Sequence, residues 1–244
     1  KANGSATITI SVAAGTNYTA PANKTCAVTV SFLKDNFADN DWASIIAACH
    51  SGSVPSTWVV GNSKTMTING ASYQVDIIGK NHDDYADGSG KAPLTFQMHT
   101  CYATEYKMNN SGSNTGGGAD CLLRTTGGFK IIKSKMPAEV VAALKAVTKK
   151  TTAGGASSAI DTTEDTLFLL SEIEVQGTRT HSYAGEGTQY AYYQTAANRK
   201  KNRAWYLRSP RISSTTCFCR TGWSGEADWS VASEVDGITA AWWF

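Results

Sequence analysis

Apolar and polar residues alternate over residues 7–12, with Ile8, Ile10 and Val12 on one side and Thr7, Thr9 and Ser11 on the other. Residues 27–32 repeat the alternation and line up Val28, Val30 and Phe32. A period of two marks a half-buried strand, so the two segments predict a hairpin. From Phe37 the period changes. Trp42, Ile45, Ile46 and Cys49 fall at i, i+3, i+4 and i+7, which predicts an amphipathic helix capped by Asn40 or Asp41 and ended by Gly52. Residues 65–68 and 73–78 then flank Asn69-Gly70, a pair that tolerates positive φ, and predict a tight hairpin.

Residues 109–118 are rich in Gly, Ser and Asn and predict a loop. Pro137 suits a first helical turn. Val140, Val141, Leu144 and Val147 make an apolar stripe behind it, and Lys145, Lys149 and Lys150 favour the C-terminal end of that second helix electrostatically. Residues 151–158 read as another loop, and residues 166–175 as a buried strand interrupted by Ser171, Glu172 and Glu174. Beyond Gly177 helical periodicity is gone. The tail concentrates aromatic side chains: of seven tryptophans, Trp205, Trp223, Trp229, Trp242 and Trp243 lie after position 204. Alternation turns Ile238, Ala240, Trp242 and Phe244 toward a core as a terminal strand and leaves Trp243 on the opposite face. Trp223 and Trp229 sit in turn-rich sequence that buries neither easily. An aromatic side chain of this size carries about 150–250 Å², worth about 4–6 kcal/mol on burial, so rings left in water suggest binding hot spots.

Composition narrows the function classes. The 244 residues are 41% apolar and 17% charged with a net charge of +2, which argues against disorder and gives no basic face for nucleic acid. No apolar run is long enough for a membrane span. Lys1 in place of an initiating methionine fits a chain cut from something longer. The six cysteines (Cys26, Cys49, Cys101, Cys121, Cys217, Cys219) read as free or buried thiols, with disulfides open in an extracellular setting. Motifs for a nucleophile elbow, a phosphate loop, a dinucleotide fold and a zinc helix are missing. His82, Asp83 and Asp84 with His99 and Cys101 are the best metal-like group, yet solvated or capping roles outweigh it. Cys217 and Cys219 share one side of a strand but supply two ligands where four are usual. Residues 199–203 form a basic run that suits an anionic polymer or a solvated loop equally. Glu172 and Glu174, two apart on the expected strand, only weakly suggest paired catalytic carboxylates.

Trp205-Tyr206-Leu207-Arg208-Ser209-Pro210, then Phe218, Gly225 and the closing Gly237-Ile238-Thr239-Ala240-Ala241-Trp242-Trp243-Phe244, resemble a large family with a C-type-lectin-like fold found in gut bacteria and their phages. The likeness extends upstream to the Trp42 helix, so it covers nearly everything from about Phe37 onward. The first hairpin resembles the end of a bacterial immunoglobulin-like domain, a usual companion of that family. The resemblance implies an α+β, C-type-lectin-like fold: mixed, twisted antiparallel sheets with two helices and long loops. Its domains would be residues 1–32, the immunoglobulin-like β-hairpin remnant, and residues 33–244, with a ligand-display segment at 205–244. It also implies kinship of fold with the variable proteins of diversity-generating retroelements, such as phage tropism determinants, and with formylglycine-generating enzymes.

Carried onto this chain, the rigid positions would be Arg208, Ser209, Pro210, Phe218, Gly225, Gly237 and Ile238. The displayed ones would be Arg211, Ser213, Arg220, Trp223, Glu226, Asp228, Trp229, Glu234 and Asp236, to which the outward Trp243 is added. Ala240 stands where the family closes with a proline-containing turn. The expectation is a ligand- or receptor-binding protein, not an enzyme, in a phage virion or on a bacterial surface, with a protein or glycan receptor as partner. Catalytic residues, metal ligands and cofactors are not expected; nucleic acid and membrane insertion are excluded, and homo-oligomerisation is left open. The alternatives are a formylglycine-generating-type copper oxidase using Cys217 and Cys219, and a structural virion decoration protein.

Overall fold

The computed structural model describes residues 4–30 and 32–244, with residues 4, 5, 29 and 30 as backbone alone, so the expectations placed on Ser31 and on the side chain of Val30 lie outside the described residues. The chain divides into two compact units, Lys1–Asp35 and Asn36–Phe244. In the first, β1 (Gly4–Ile10) pairs antiparallel with β2 (Lys24–Val30), Ile8 opposite Cys26. The strands lie two to three residues earlier than their patterns suggest, and Val12 falls past the end of β1. Ile8, Ile10 and Val28 are exposed, not half-buried, because a two-stranded ribbon carries no second layer of its own.

The second unit opens with α1 (Trp42–His50). Asp41 caps it by accepting a 2.7 Å bond from the Ser44 amide, and Gly52 leaves the helix at φ +66°. β3 (Ser63–Ile68) and β4 (Ala71–Gly79) form the expected hairpin, with Asn69 at φ +53° and Gly70 at φ +76° as a tight turn with two positive φ angles requires. After β5 (Thr95–Met98) come four short helices: α2 (Gly117–Asp120), α3 (Leu122–Thr125), α4 (Gly128–Lys135) and α5 (Ala138–Ala143). Helical structure thus starts inside the segment expected to be a loop, and two helices are too few. Pro137 does start α5, but the helix stops at Ala143, and Val147 opens β6 (Val147–Gly154). Lys149 and Lys150 therefore stand on a strand, not at a helix end. β7 (Ser157–Asp165) completes a hairpin where residues 151–158 read as a loop. Thr-rich sequence favours the ladder, and only the residues around Gly155 and Ala156 are left to turn.

β8 (Leu167–Phe168) is two residues long and yields to α6 (Glu172–Gln176), not to a continued strand. The reason is local: Ser171 and Glu174 form a reciprocal capping box that nucleates the helix, and Gly177 ends it at φ +73°. The chain then runs through short 3-10 turns to β9 (Trp205–Pro210), β10 (Cys217–Thr221), β11 (Ala227–Val231) and β12 (Ala241–Trp242). β3-β4-β5-β12-β8 make a five-stranded antiparallel sheet, and β11-β10-β9 a three-stranded one. The unit is therefore a mixed α+β fold built mainly on antiparallel pairing.

β12 lies between β5 and β8, and its central place corrects one expectation. Trp242 faces the core as foreseen, but Trp243 is also sealed, 1% exposed and stacked on Tyr85 at 4.5 Å. The sheet is covered on both faces here, with adjacent Ala241 and Trp242 equally buried, so alternation does not separate inside from outside. Phe244 packs with Phe96 at 5.2 Å and Trp42 at 6.1 Å. Neither indole N–H of Trp242 or Trp243 has a hydrogen-bond partner among the described residues. Burying each ring contributes about 4–6 kcal/mol against about 1–3 kcal/mol for an unmade bond, so packing wins.

Candidate functional site

Two assemblies of side chains invite a functional reading. The first is a buried polar network on one side of β9. Arg208 donates from Nη1 to Glu174 Oε2 at 2.5 Å and from Nη2 to Oε1 at 2.8 Å, while Lys149 Nζ bridges Glu174 at 2.7 Å and Asp83 at 2.8 Å. Tyr190 and Thr95 donate to Asp83, at 2.7 and 2.5 Å. Burial alone would push the Asp83 carboxyl up, but the Lys149 charge and these bonds pull it to about 2. Burial works against Glu174 ionising too, and Arg208 and Lys149 overcome it, so its pKa falls. Glu186 is different. Burial raises its pKa despite bonds from Ser209 Oγ and from Thr152 N at 2.7 Å, which makes it the least firmly charged member.

A cleft of about 300 Å³ opens beside this network, lined by His82, Lys91, Lys150 and Thr188 among others. His82, Asp83 and Glu174 place ligand atoms within 4.8 Å of one another, close enough for a metal ion. Lys149 nevertheless bonds both carboxylates, and its ammonium supplies the positive charge a cation would bring. His82 stacks on Tyr190 at 3.8 Å, and burial lowers its pKa. These paired charges read as a frame for β6, α6 and β9.

Other sequence candidates are dispersed. His99 does not join His82 but binds Asp76 at 2.7 Å, together with Tyr192. Glu172 and Glu174 are on a helix and part company: Glu172 accepts from the His181 and Ser182 amides and the Ser182 hydroxyl. The basic run is dismantled, with Lys201 buried against the Met98 and His99 carbonyls, Arg199 on the Tyr193 carbonyl, and Arg203 paired with Glu105. All six cysteines are free thiols and five are buried. Cys217 and Cys219 belong to no group of three or more metal-ligating side chains among the described residues. Burial pushes the Cys219 thiol well up, which opposes the thiolate that copper binding needs.

The second assembly is the hairpin of β10 and β11 with the loop that precedes it. Trp223 is at the hairpin turn, 66% exposed, and Trp229 is on β11, 38% exposed; the other five tryptophans are buried. Arg211 lays its guanidinium over the Trp229 ring, Cζ 4.2 Å from the centroid. Ser213 is exposed at φ +55°, and Glu234 is exposed as well. The remaining expected display residues are tied down. Arg220 donates to Asp228 at 2.7 Å and to Asp236 at 2.9 Å, and Asp236 is buried, which corrects its expected display. Glu226 accepts from the Ser224 amide and hydroxyl at 3.0 and 2.7 Å. Trp243 belongs to the core.

The hairpin is held from behind. Tyr206 donates to the Val231 and Glu234 carbonyls at 2.7 and 3.1 Å. Buried Asn114 donates to the Ser214 and Cys217 carbonyls at 3.0 and 2.8 Å, clamping the second half of the loop between β9 and β10. Nothing in the Gly/Ser/Asn-rich sequence marked Asn114 for this. The clamp needs close backbone approach: a Cβ on Gly154, at φ +68°, would lie 1.8 Å from the Asn114 carbonyl oxygen. No match is found among curated proteins or solved structures. A family model described as a domain of unknown function (DUF6273) matches residues 100–244, more than half of the chain, and the chain belongs to that family.

Proposed function

We propose that this family member is a recognition protein that displays the hairpin of β10 and β11, with the preceding loop, to a receptor on a cell surface. The reading places the unit among C-type-lectin-like folds, as part of a phage virion or a bacterial surface. One observation carries it: both exposed tryptophans of the chain stand on one hairpin whose root is pinned by Tyr206, Asn114 and the Arg220 ion pairs. Rigid aromatic side chains on a fixed frame bind with little loss of conformational entropy. Four of the seven exposed large apolar side chains of the second unit, Ile212, Trp223, Trp229 and Val235, also fall between positions 211 and 235. Mutual bonding of Arg220, Asp228 and Asp236 leaves the rings, Arg211 and the exposed Glu234 as the outward chemistry.

The test is the joint replacement Trp223→Ala and Trp229→Ala. The melting temperature should move by no more than a degree or two while retention on receptive bacterial cells falls at least tenfold. Unchanged retention overturns the proposal.

A further inference from the structure

Five of the seven arginines end on oxygen acceptors. Arg124 reaches Asp165, Arg199 the Tyr193 carbonyl, Arg203 Glu105, Arg208 Glu174, and Arg220 Asp228 and Asp236. Arg211 does not. Among the described residues the Arg211 guanidinium makes no hydrogen bond and no ion pair, although it is half-buried and lies over the Trp229 indole, Cζ 4.2 Å from the ring centroid. A guanidinium held over a ring still presents a planar fork of N–H donors, and that fork matches the two oxygens of a carboxylate.

Its surroundings are fixed as well. The Ile212 amide donates to the His181 carbonyl at 2.6 Å, and Ser213 holds a left-handed φ of +55° with its amide on the Tyr183 hydroxyl at 3.4 Å. Ser214 Oγ accepts from the Thr216 and Cys217 amides. Two exposed hydroxyls, on Ser213 and Thr215, have no internal partner among the described residues. A left-handed φ on a non-glycine residue costs about 1–2 kcal/mol and persists where the surroundings enforce it, as they do here.

We propose that Arg211 is the receptor for the carboxylate of a uronate-bearing glycan. The inference rests on the recognition reading above and specifies its ligand. A uronate carries a planar anion and neighbouring hydroxyls on one rigid ring, which suits a guanidinium on a loop that also carries two exposed hydroxyls able both to donate and to accept. A polymer of such rings also offers C–H faces to Trp223 on the same hairpin. An acidic peptide supplies the anion but not the ring hydroxyls, and it serves as the control.

The full chain is titrated with polygalacturonate, alginate and hyaluronate, following tryptophan fluorescence. Binding to at least one is expected. The methyl ester of that polymer should bind at least tenfold more weakly, as should R211Q, whose melting temperature stays that of the wild type. R211K, which keeps the charge but loses the planar fork, should fall at least threefold. The proposal is overturned if none of the three polymers binds, if R211Q binds like the wild type, or if poly-L-glutamate binds as tightly as the glycan. Cell retention separates the two readings: loss in the double tryptophan variant with full retention in R211Q ends the glycan assignment and leaves surface recognition standing, whereas no loss in either ends both.

Discussion

Around Glu174 the charges of Asp83, Lys149 and Arg208 meet counterparts inside the protein, whereas the hairpin of β10 and β11 with its preceding loop carries two exposed indoles and the Arg211 guanidinium on a pinned root. Both regions look alike as composition, since each mixes basic, acidic and aromatic residues. Burial distinguishes them. Charges withdrawn from water must be paired to persist, and once paired they act on the strands that carry them. Apolar rings kept in water gain little for the fold, which leaves them available to the partner proposed above. The difference teaches that, in this chain, dense ionic chemistry marks the frame, while incomplete pairing marks the surface proposed for recognition.

The contrast breaks most directly at Glu174. Glu174→Gln leaves Arg208 and Lys149 buried without full compensation and should cost about 3–5 kcal/mol of unfolding free energy, read by denaturant titration. A loss below about 1 kcal/mol would show that the network is not a frame. The tryptophans give a paired test of nearly the same size. Trp243→Ala empties a sealed site and should cost about 3–5 kcal/mol, while Trp223→Ala should stay within about 0.5 kcal/mol; equal costs would erase the difference between the two regions.

Acid sharpens the comparison further. The folded pKa of Asp83, about 2, lies below its value in the unfolded chain, so the stability it confers is present above roughly pH 4 and is lost as pH falls toward 2. That contribution is about 2–3 kcal/mol, and an Asp83→Asn variant should lack this part of the acid-dependent loss. The smallest effect belongs to the display loop: Ser213→Gly relieves the left-handed backbone but frees the unfolded chain, for a net change of about 1 kcal/mol or less in thermal unfolding.

Local patterns carried much of the architecture. The helix from Trp42 with its Asp41 cap, the turn at Asn69-Gly70 and the exposed rings of Trp223 and Trp229 were legible because a few neighbouring residues decide each. The misreadings share a cause. Val147 sits at helical spacing from Val140 and Leu144, yet pairing with Asp165 draws it into a strand and carries Lys149 inward. Residues 169–175 look like a buried strand by hydropathy, and the capping box overrides that reading. Asn114 was illegible as a clamp because its partners lie 100 and 103 positions away.

By itself, the order of residues determined which segments could become helix, strand or turn, and that the tail holds more aromatic surface than a short terminal strand can bury. Only the tertiary structure decided which charges are spent and which are free. The Lys149 bridge to Asp83 and Glu174, and the Arg211 guanidinium over Trp229, each depend on side chains from separate elements meeting within a few ångströms. Pairing energy acts through space and burial, and neither is written in the spacing of residues along the chain.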